Sequence, residues 1–289
     1  METANLQAFI KVAECGSFSI AARQLFLTQP AISKRIKQLE QHFGSTLVDR
    51  KSKQLHLTQT GRSLLPRARE IINNIQSARQ YISDMEGSPM GSVSMATSHH
   101  IGLHRLPPVL RAYTAQFPKV NLDLSFMDSE QACQLIEHND LDIAVVTLPF
   151  EESAKLRFTP VWHDRLVICC ATQHPLTSVN NLSLQQLIKY PAVLPSQGTF
   201  TREAIEKALH EVISELKITL ETNYLETIKM LVSVGLGWSI LPQSMLDNSL
   251  RALPIDGFES SRELGIVMHR QRSPSRAVIA MLEIIDTVK

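Results

Sequence analysis

Hydrogen-bonding and cationic side chains recur along one side of a short stretch: Thr28, Gln29, Pro30, Ser33, Lys34 and Lys37, continued by Gln41 and flanked by Arg35. At 3.6 residues per turn these share one helix face, with no carboxylate until Glu40. Amides, hydroxyls and ammonium groups suit base edges and phosphates, so Gln29, Ser33 and Lys34 are read as base contacts. Lys37, Arg50, Lys53 and Thr28 are read as phosphate contacts. A second set donates to oxygen anions: Thr97, Ser98, His99 and His100, then Ser129, Thr147, and Ser196, Gln197 and Thr199, with Asn223-Tyr224 as an addition. Singly, Ser98, Ser129 and Thr199 read equally well as helix N-caps. His100 and His104 stand i, i+4, a spacing that suits a metal, but no acidic or thiol ligand accompanies them in that segment. No metal and no cofactor is expected.

The elements that must position the first set are marked at both ends. Thr28 is an N-cap, Pro30 sits where its missing N–H costs nothing, and Gly44 is a helix stop. Between them Ile32, Ile36, Leu39 and Phe43 form the core face. Upstream, Ser19 is the expected cap of a shorter helix carrying Ala22 and Leu25, joined through Phe26-Leu27. This is a helix-turn-helix. Downstream, 46–57 reads as two short strands around a basic tip, Arg50 to Lys53: a wing. A first helix with Leu6, Phe9, Ile10 and Ala13 completes the core.

The pattern Ser17-Phe-Ser, Ala21-Ala22, Leu25, Thr28-Gln-Pro-Ala-Ile-Ser33, Ile36, Leu39-Glu40, Gly44, Leu47, Asp49-Arg50 and Thr58-x-x-Gly61 resembles the winged helix-turn-helix of LysR-type transcriptional regulators. The resemblance is dense over this segment and rests on length and layout elsewhere. It implies an α/β two-lobe, periplasmic-binding-protein-like effector domain after a long linker helix, and a homo-oligomer, commonly a tetramer. Double-stranded promoter DNA and a small effector are the implied partners, and RNA polymerase is a further one open to such a regulator.

Thr58 should cap a helix to about Met85 whose apolar residues Leu64, Ala68, Ile71, Ile75, Ala78 and Ile82 alternate four and three apart. That is a seam along which two copies can pair, or a face lying on the chain's own effector domain. The net charge of +1 hides a split: residues 1–90 hold 12 Lys+Arg against 7 Asp+Glu, and the remainder 17 against 21. The basicity is local to the winged segment, as DNA binding requires. No run of about 18 apolar residues and no secretory signal is present, so a cytoplasmic protein with no membrane contact is expected.

Glu86-Gly-Ser-Pro-Met-Gly-Ser92 reads as a hinge. The expected divisions are 1–58, 59–87 and 91–289, with lobe I about 91–148 and 266–289 and lobe II about 160–264. Beyond the hinge, strand-like and helix-like segments alternate in the rhythm of a parallel sheet with crossover helices. Ligands in such folds sit beyond strand ends at helix N-termini, which is where the second set of polar residues falls. A small polar or anionic metabolite is therefore the expected effector. A redox or metal sensor on the same frame is the alternative. An enzyme is remote, since no Gly-x-Ser-x-Gly, Gly-x-x-x-x-Gly-Lys-Ser/Thr or His-Glu-x-x-His is present. Cys169-Cys170, adjacent in a strand, should point to opposite faces, and Cys133 has no recognisable partner.

Overall fold

Thr3–Cys15 (α1) ends in an αL glycine, Gly16, so the chain must restart at once: Ser17 is extended, and its hydroxyl accepts from the Ile20 N–H at 3.4 Å. The second helix is therefore Phe18–Gln24 (α2), capped by Ser17 and not by the expected Ser19. Gln29–Phe43 (α3) follows, with the Thr28 hydroxyl accepting from Ala31 N at 3.4 Å and Gly44 closing it in the αL region. The computed structural model describes residues 2–49, 55–84 and 89–289. Val48–Asp49 (β1) pairs antiparallel with His56–Leu57 (β2), as a wing requires. Gln59–Asp84 (α4) is capped by Thr58, whose hydroxyl accepts from Gly61 N at 3.0 Å.

Leu6, Phe9, Val12, Ala22, Ile32, Ile36, Leu39, Leu47, Ala68 and Ile72 make one core under α1 to α4. Two expectations change here. Phe43 is 41% exposed, edge-on to His42, because the helix ends one residue later and nothing covers its last turn. Ala68 is fully buried within this core, and Leu64 and Ile71 pack against it, so the first half of the proposed pairing seam is occupied by the chain itself. Ile75 is half-buried and Ala78 exposed. The Ile82 side chain, Arg50, Lys53 and Met85 lie outside the described residues.

From Gly91 on, the elements are Gly91–Thr97 (β3), His99–His104 (α5), Leu106–Gln116 (α6), Val120–Phe126 (β4), Ser129–Glu137 (α7), Ile143–Thr147 (β5) and Leu156–Ala171 (β6). Then come Leu184–Leu187 (α8), Ala192–Leu194 (β7), Phe200–Ala208 (α9), Ile218–Glu221 (β8), Leu225–Ser233 (α10), Trp238–Pro242 (β9), Leu250–Ala252 (β10), Ser260–His269 (β11) and Arg276–Val288 (α11). The strands run β4-β3-β5-β11-β6-β9-β7-β8, with β10 beside β6. This sheet is mixed, not parallel throughout: β3, β4 and β5 are parallel, as are β8, β7 and β9, while β5, β11, β6 and β9 are joined antiparallel.

Two α/β lobes result. One has its cores around Met95, Val145, Ile266 and Met281 and around Ala132, Ile136 and Val146; the other around Ile168, Leu194, Ile205 and Trp238 and around Cys169, Ile228 and Leu241. Strand β6 leaves the first lobe and enters the second, and β11 returns beside it. Both crossing strands are longer than their apolar patterns suggest, since β6 begins at Leu156 and β11 at Ser260. Pro160 is tolerated inside β6 because the register skips a residue at Leu264/Gly265, a bulge where no ladder N–H is required. Gly265 is needed there: a Cβ would stand 2.3 Å from the Thr159 carbonyl oxygen.

Candidate DNA interface and effector cleft

On α3 the buried residues Ile32, Ile36 and Leu39 turn the opposite face outward. Thr28, Gln29, Pro30, Lys34 and Lys37 are exposed and Ser33 is half-buried, so the polar set stands on one surface as its spacing demands. Glu40, the first carboxylate of the helix, is drawn off that surface: its Oε1 accepts from Leu47 N at 2.9 Å and from Val48 N at 3.3 Å. It fastens the start of the wing to α3 and leaves the face cationic. Phe26, at the turn before α3, is 96% exposed with φ of 53°.

The second polar set converges, with changes, on a narrow cleft between the lobes. Four helices begin at its walls: α5 at Ser98 and His99, α7 at Ser129, α9 beside Thr199, and α10 at Tyr224 and Leu225. The positive ends of their dipoles make the cleft receptive to negative charge. Ser98 lines it and makes no capping bond with its side chain, so capping does not account for this hydroxyl. Thr199 does cap α9, accepting from Arg202 N at 3.2 Å, and still lines the cleft. Ser129 accepts from Thr147 N at 3.2 Å, and both reach the cleft, as do His99, His100, Asn223 and Tyr224. The His99 ring stands edge-on to Tyr224 at 4.6 Å.

Three expected residues lie elsewhere. Thr97 is buried in β3, its hydroxyl donating to the Val145 carbonyl at 2.8 Å, since the strand runs one residue further than a loop reading allows. Ser196 and Gln197 are outside the lining. Ser196 contributes only backbone, its N–H donating to Asn223 Oδ1 and its carbonyl accepting from the Thr199 hydroxyl.

Sequence reasoning missed the charged part of the cleft. Arg262 lines it while 5% exposed; its Nη1 donates to the Thr201 hydroxyl at 2.7 Å and approaches that of Thr147 at 3.5 Å. Burial pulls this guanidinium below its ordinary pKa, and Asp164 opposes the shift. Glu130, on α7, accepts from Phe200 N, the first residue of α9, at 2.5 Å. A carboxylate of the first lobe thus occupies the anion-binding end of a helix in the second. Burial raises the Glu130 pKa. Asp128 accepts from Asn223 Nδ2 at 2.8 Å, a second bridge between lobes. The third is Glu226 Oε1, 3.3 Å from His100 Nδ1 and 3.0 Å from His104 Nε2.

Three cysteines, Cys133, Cys169 and Cys170, are buried. Burial pushes the Cys133 and Cys169 thiols up to about 12 and Cys170 to about 11, far from the thiolate that oxidation needs. Cys169 packs in one core and Cys170 in another, on opposite sheet faces as their adjacency predicts.

Among known proteins, the transcriptional activator CmpR of Synechocystis is 27% identical over 279 residues, 95% of this chain and 90% of the relative. A full-length OxyR variant from Pseudomonas aeruginosa shares the fold with a TM-score of 0.76 at 21% identity, covering 100% of this chain and 96% of that one. Full-length CbnR complexed with its target DNA does so with a TM-score of 0.67 at 20% identity, covering 100% of both chains. Among the described residues no helix is long and apolar enough to cross a membrane. The family model for the bacterial regulatory helix-turn-helix of the lysR family matches residues 3–62, and that for the LysR substrate binding domain matches 86–288. The chain belongs to the LysR family: a DNA-binding transcriptional regulator with an effector-binding domain, not an enzyme.

Proposed function

We propose that the effector is a small anionic metabolite, bound in the cleft between a lobe of about 91–148 and 266–289 and a lobe of about 160–264. The observation that carries this is the convergence of four helix N-termini on one cleft beside a buried guanidinium. Glu130 fills the end of α9. An anionic effector competes with that carboxylate, takes hydrogen bonds from Ser98 and Thr201, and changes how the lobes are held.

Gln29, Ser33 and Lys34 enter a major groove and read base edges, while Thr28 and Lys37, together with Arg50 and Lys53 at the wing, hold phosphates. Two copies pair along α4 beyond Ala68, so that two winged units address adjacent half-sites. Repositioning the lobes then alters the spacing of those units on promoter DNA in a dimer or tetramer, the protein working in the cytoplasm.

The test is thermal unfolding of the full chain against a panel of small carboxylates and phosphorylated metabolites, since a ligand of the native state raises the midpoint by mass action. One anion should raise it, and Ser98→Ala should abolish the rise without lowering the unliganded midpoint, because that hydroxyl makes no capping bond. Glu130→Gln should strengthen binding of the same anion. A panel in which no anion moves the midpoint, or a rise that survives Ser98→Ala and Thr201→Ala, overturns the assignment.

A further inference from the structure

His100 and His104 lie one turn apart on α5 with ring centroids 4.7 Å apart, and Glu226 in the first turn of α10 reaches them from the other lobe. The carboxylate absent from the histidine segment is thus supplied from 122 residues away. We propose that His100, His104 and Glu226 form a site for a divalent first-row transition cation, Zn(II) foremost, that staples the two lobes together across the mouth of the cleft.

The geometry is close to that of a bound ion. One potential ligand atom from each residue lies within 4.8 Å of the others. Glu226 Oε1 stands 3.3 Å from His100 Nδ1 and 3.0 Å from His104 Nε2. Metal bonds of roughly 2.0–2.2 Å place tetrahedral ligands about 3.3–3.5 Å apart, so two edges of the tetrahedron are nearly in place and only the imidazole to imidazole edge must close. Two imidazoles and a carboxylate select Zn(II), Co(II) or Ni(II) over soft ions that seek thiolates and over hard ions that seek oxygen alone. The fourth position is left for water.

Among the described residues, Nε2 of His100 is buried with no hydrogen-bond partner, so nothing among them fixes the tautomer from that side. Moving the proton from Nδ1 to Nε2 frees the ligating atom without releasing a proton. His104, 49% exposed, gives a cation access from solvent. His100 also lines the cleft, but the readout here is cation binding and not the anion panel, so the two readings fail separately.

The experiment uses the full chain, stripped with a chelator and titrated with Zn(II) against a chromophoric competitor, then with Co(II) to read the visible bands of a low-symmetry site. One ion per chain is expected, with a rise in the unfolding midpoint. His104→Gln and Glu226→Gln should each weaken Zn(II) by more than about 100-fold, because loss of a mere outer-shell partner already costs roughly 10–100-fold. Both positions are partly exposed, so these variants should fold, and unchanged far-ultraviolet circular dichroism verifies it. No binding to the parent chain overturns the proposal, and so does Zn(II) binding that both variants leave unchanged, either result leaving the triad a hydrogen-bonded latch.

Discussion

Asp164 and Arg262 face each other in register across the β6–β11 pair, and Asp164 Oδ2 takes bonds from both Nε and Nη2 of the guanidinium at 2.9 and 2.8 Å. Asp164 is 3% exposed, so the pair is largely desolvated at the point where both strands pass between lobes. The third nitrogen of Arg262 reaches Thr201 on one lobe and Thr147 on the other. Removing the acid strands the cation. Asp164→Ala should destabilise the chain by about 3–5 kcal/mol, the usual cost of an uncompensated buried charge, read as a lower urea midpoint. A loss within 1 kcal/mol, on the order of a surface substitution, would show that water reaches the site.

The α3 surface separates reading from anchoring. Gln29→Ala and Ser33→Ala should each cost about 1–3 kcal/mol on the preferred site and flatten the preference at one base position. Lys37→Ala should weaken all sites alike and reduce the salt slope by about 1. Binding measured across a randomised site library at several salt concentrations tells the two classes apart. Uniform weakening by Gln29→Ala would remove it from the base contacts.

Acid should loosen the effector-binding unit in two stages. His100, lowered by burial, stays neutral when its unfolded counterpart takes a proton, so its contribution is full above about 6.5 and fades as pH falls through its folded value. Glu226, lowered from 4.5 to about 2, contributes fully above 4.5 and loses this as pH drops toward 2. With a third of the carboxylate exposed, the second stage is on the order of 1–2 kcal/mol after allowance for solvent. Glu226→Gln should erase the lower stage in a series of urea unfolding curves against pH, and a parent chain with a flat profile below 4.5 would contradict it.

Thiol chemistry should be confined to Cys15. Cys133, Cys169 and Cys170 are buried with raised pKa values, so native alkylation followed by mass spectrometry should label Cys15 first and the others only on unfolding. Rapid labelling of Cys133 in the native chain would reopen the redox reading.

The winged unit was largely legible because its information is local. Apolar residues four and three apart, Thr28 at one end and Gly44 at the other specify α3 without reference to distant chain. The misassigned cap shows the limit: Ser17 and Ser19 look alike, and only the αL turn at Gly16 decides between them. The cleft between the lobes was half legible. Strand-end polar residues pointed to Ser98, Ser129, Thr147 and Thr199, but Arg262 sits in a stretch, Ser260-Ser-Arg-Glu, that reads as loop. Its partner Asp164 is 98 residues away, in a strand broken in pattern by Pro160. Arginine is rarely buried unless paired, and pairing at that separation leaves no local spacing to read. Glu130 and Glu226 were hidden for the same reason: each is an ordinary acidic residue in a helix's first turn until the other lobe is opposite it.

The crossing ribbon also limits the kinematics of the regulator. Because β6 and β11 are hydrogen-bonded to each other over the whole passage, one lobe cannot slide past the other without a register slip, and a one-residue slip would turn every side chain of the ribbon to the opposite face, Asp164 and Arg262 included. Sliding is thereby costly, whereas twist about the ribbon axis and bending at the Leu264/Gly265 bulge leave the ladder intact, so a binding event in the cleft is expected to be expressed as torque.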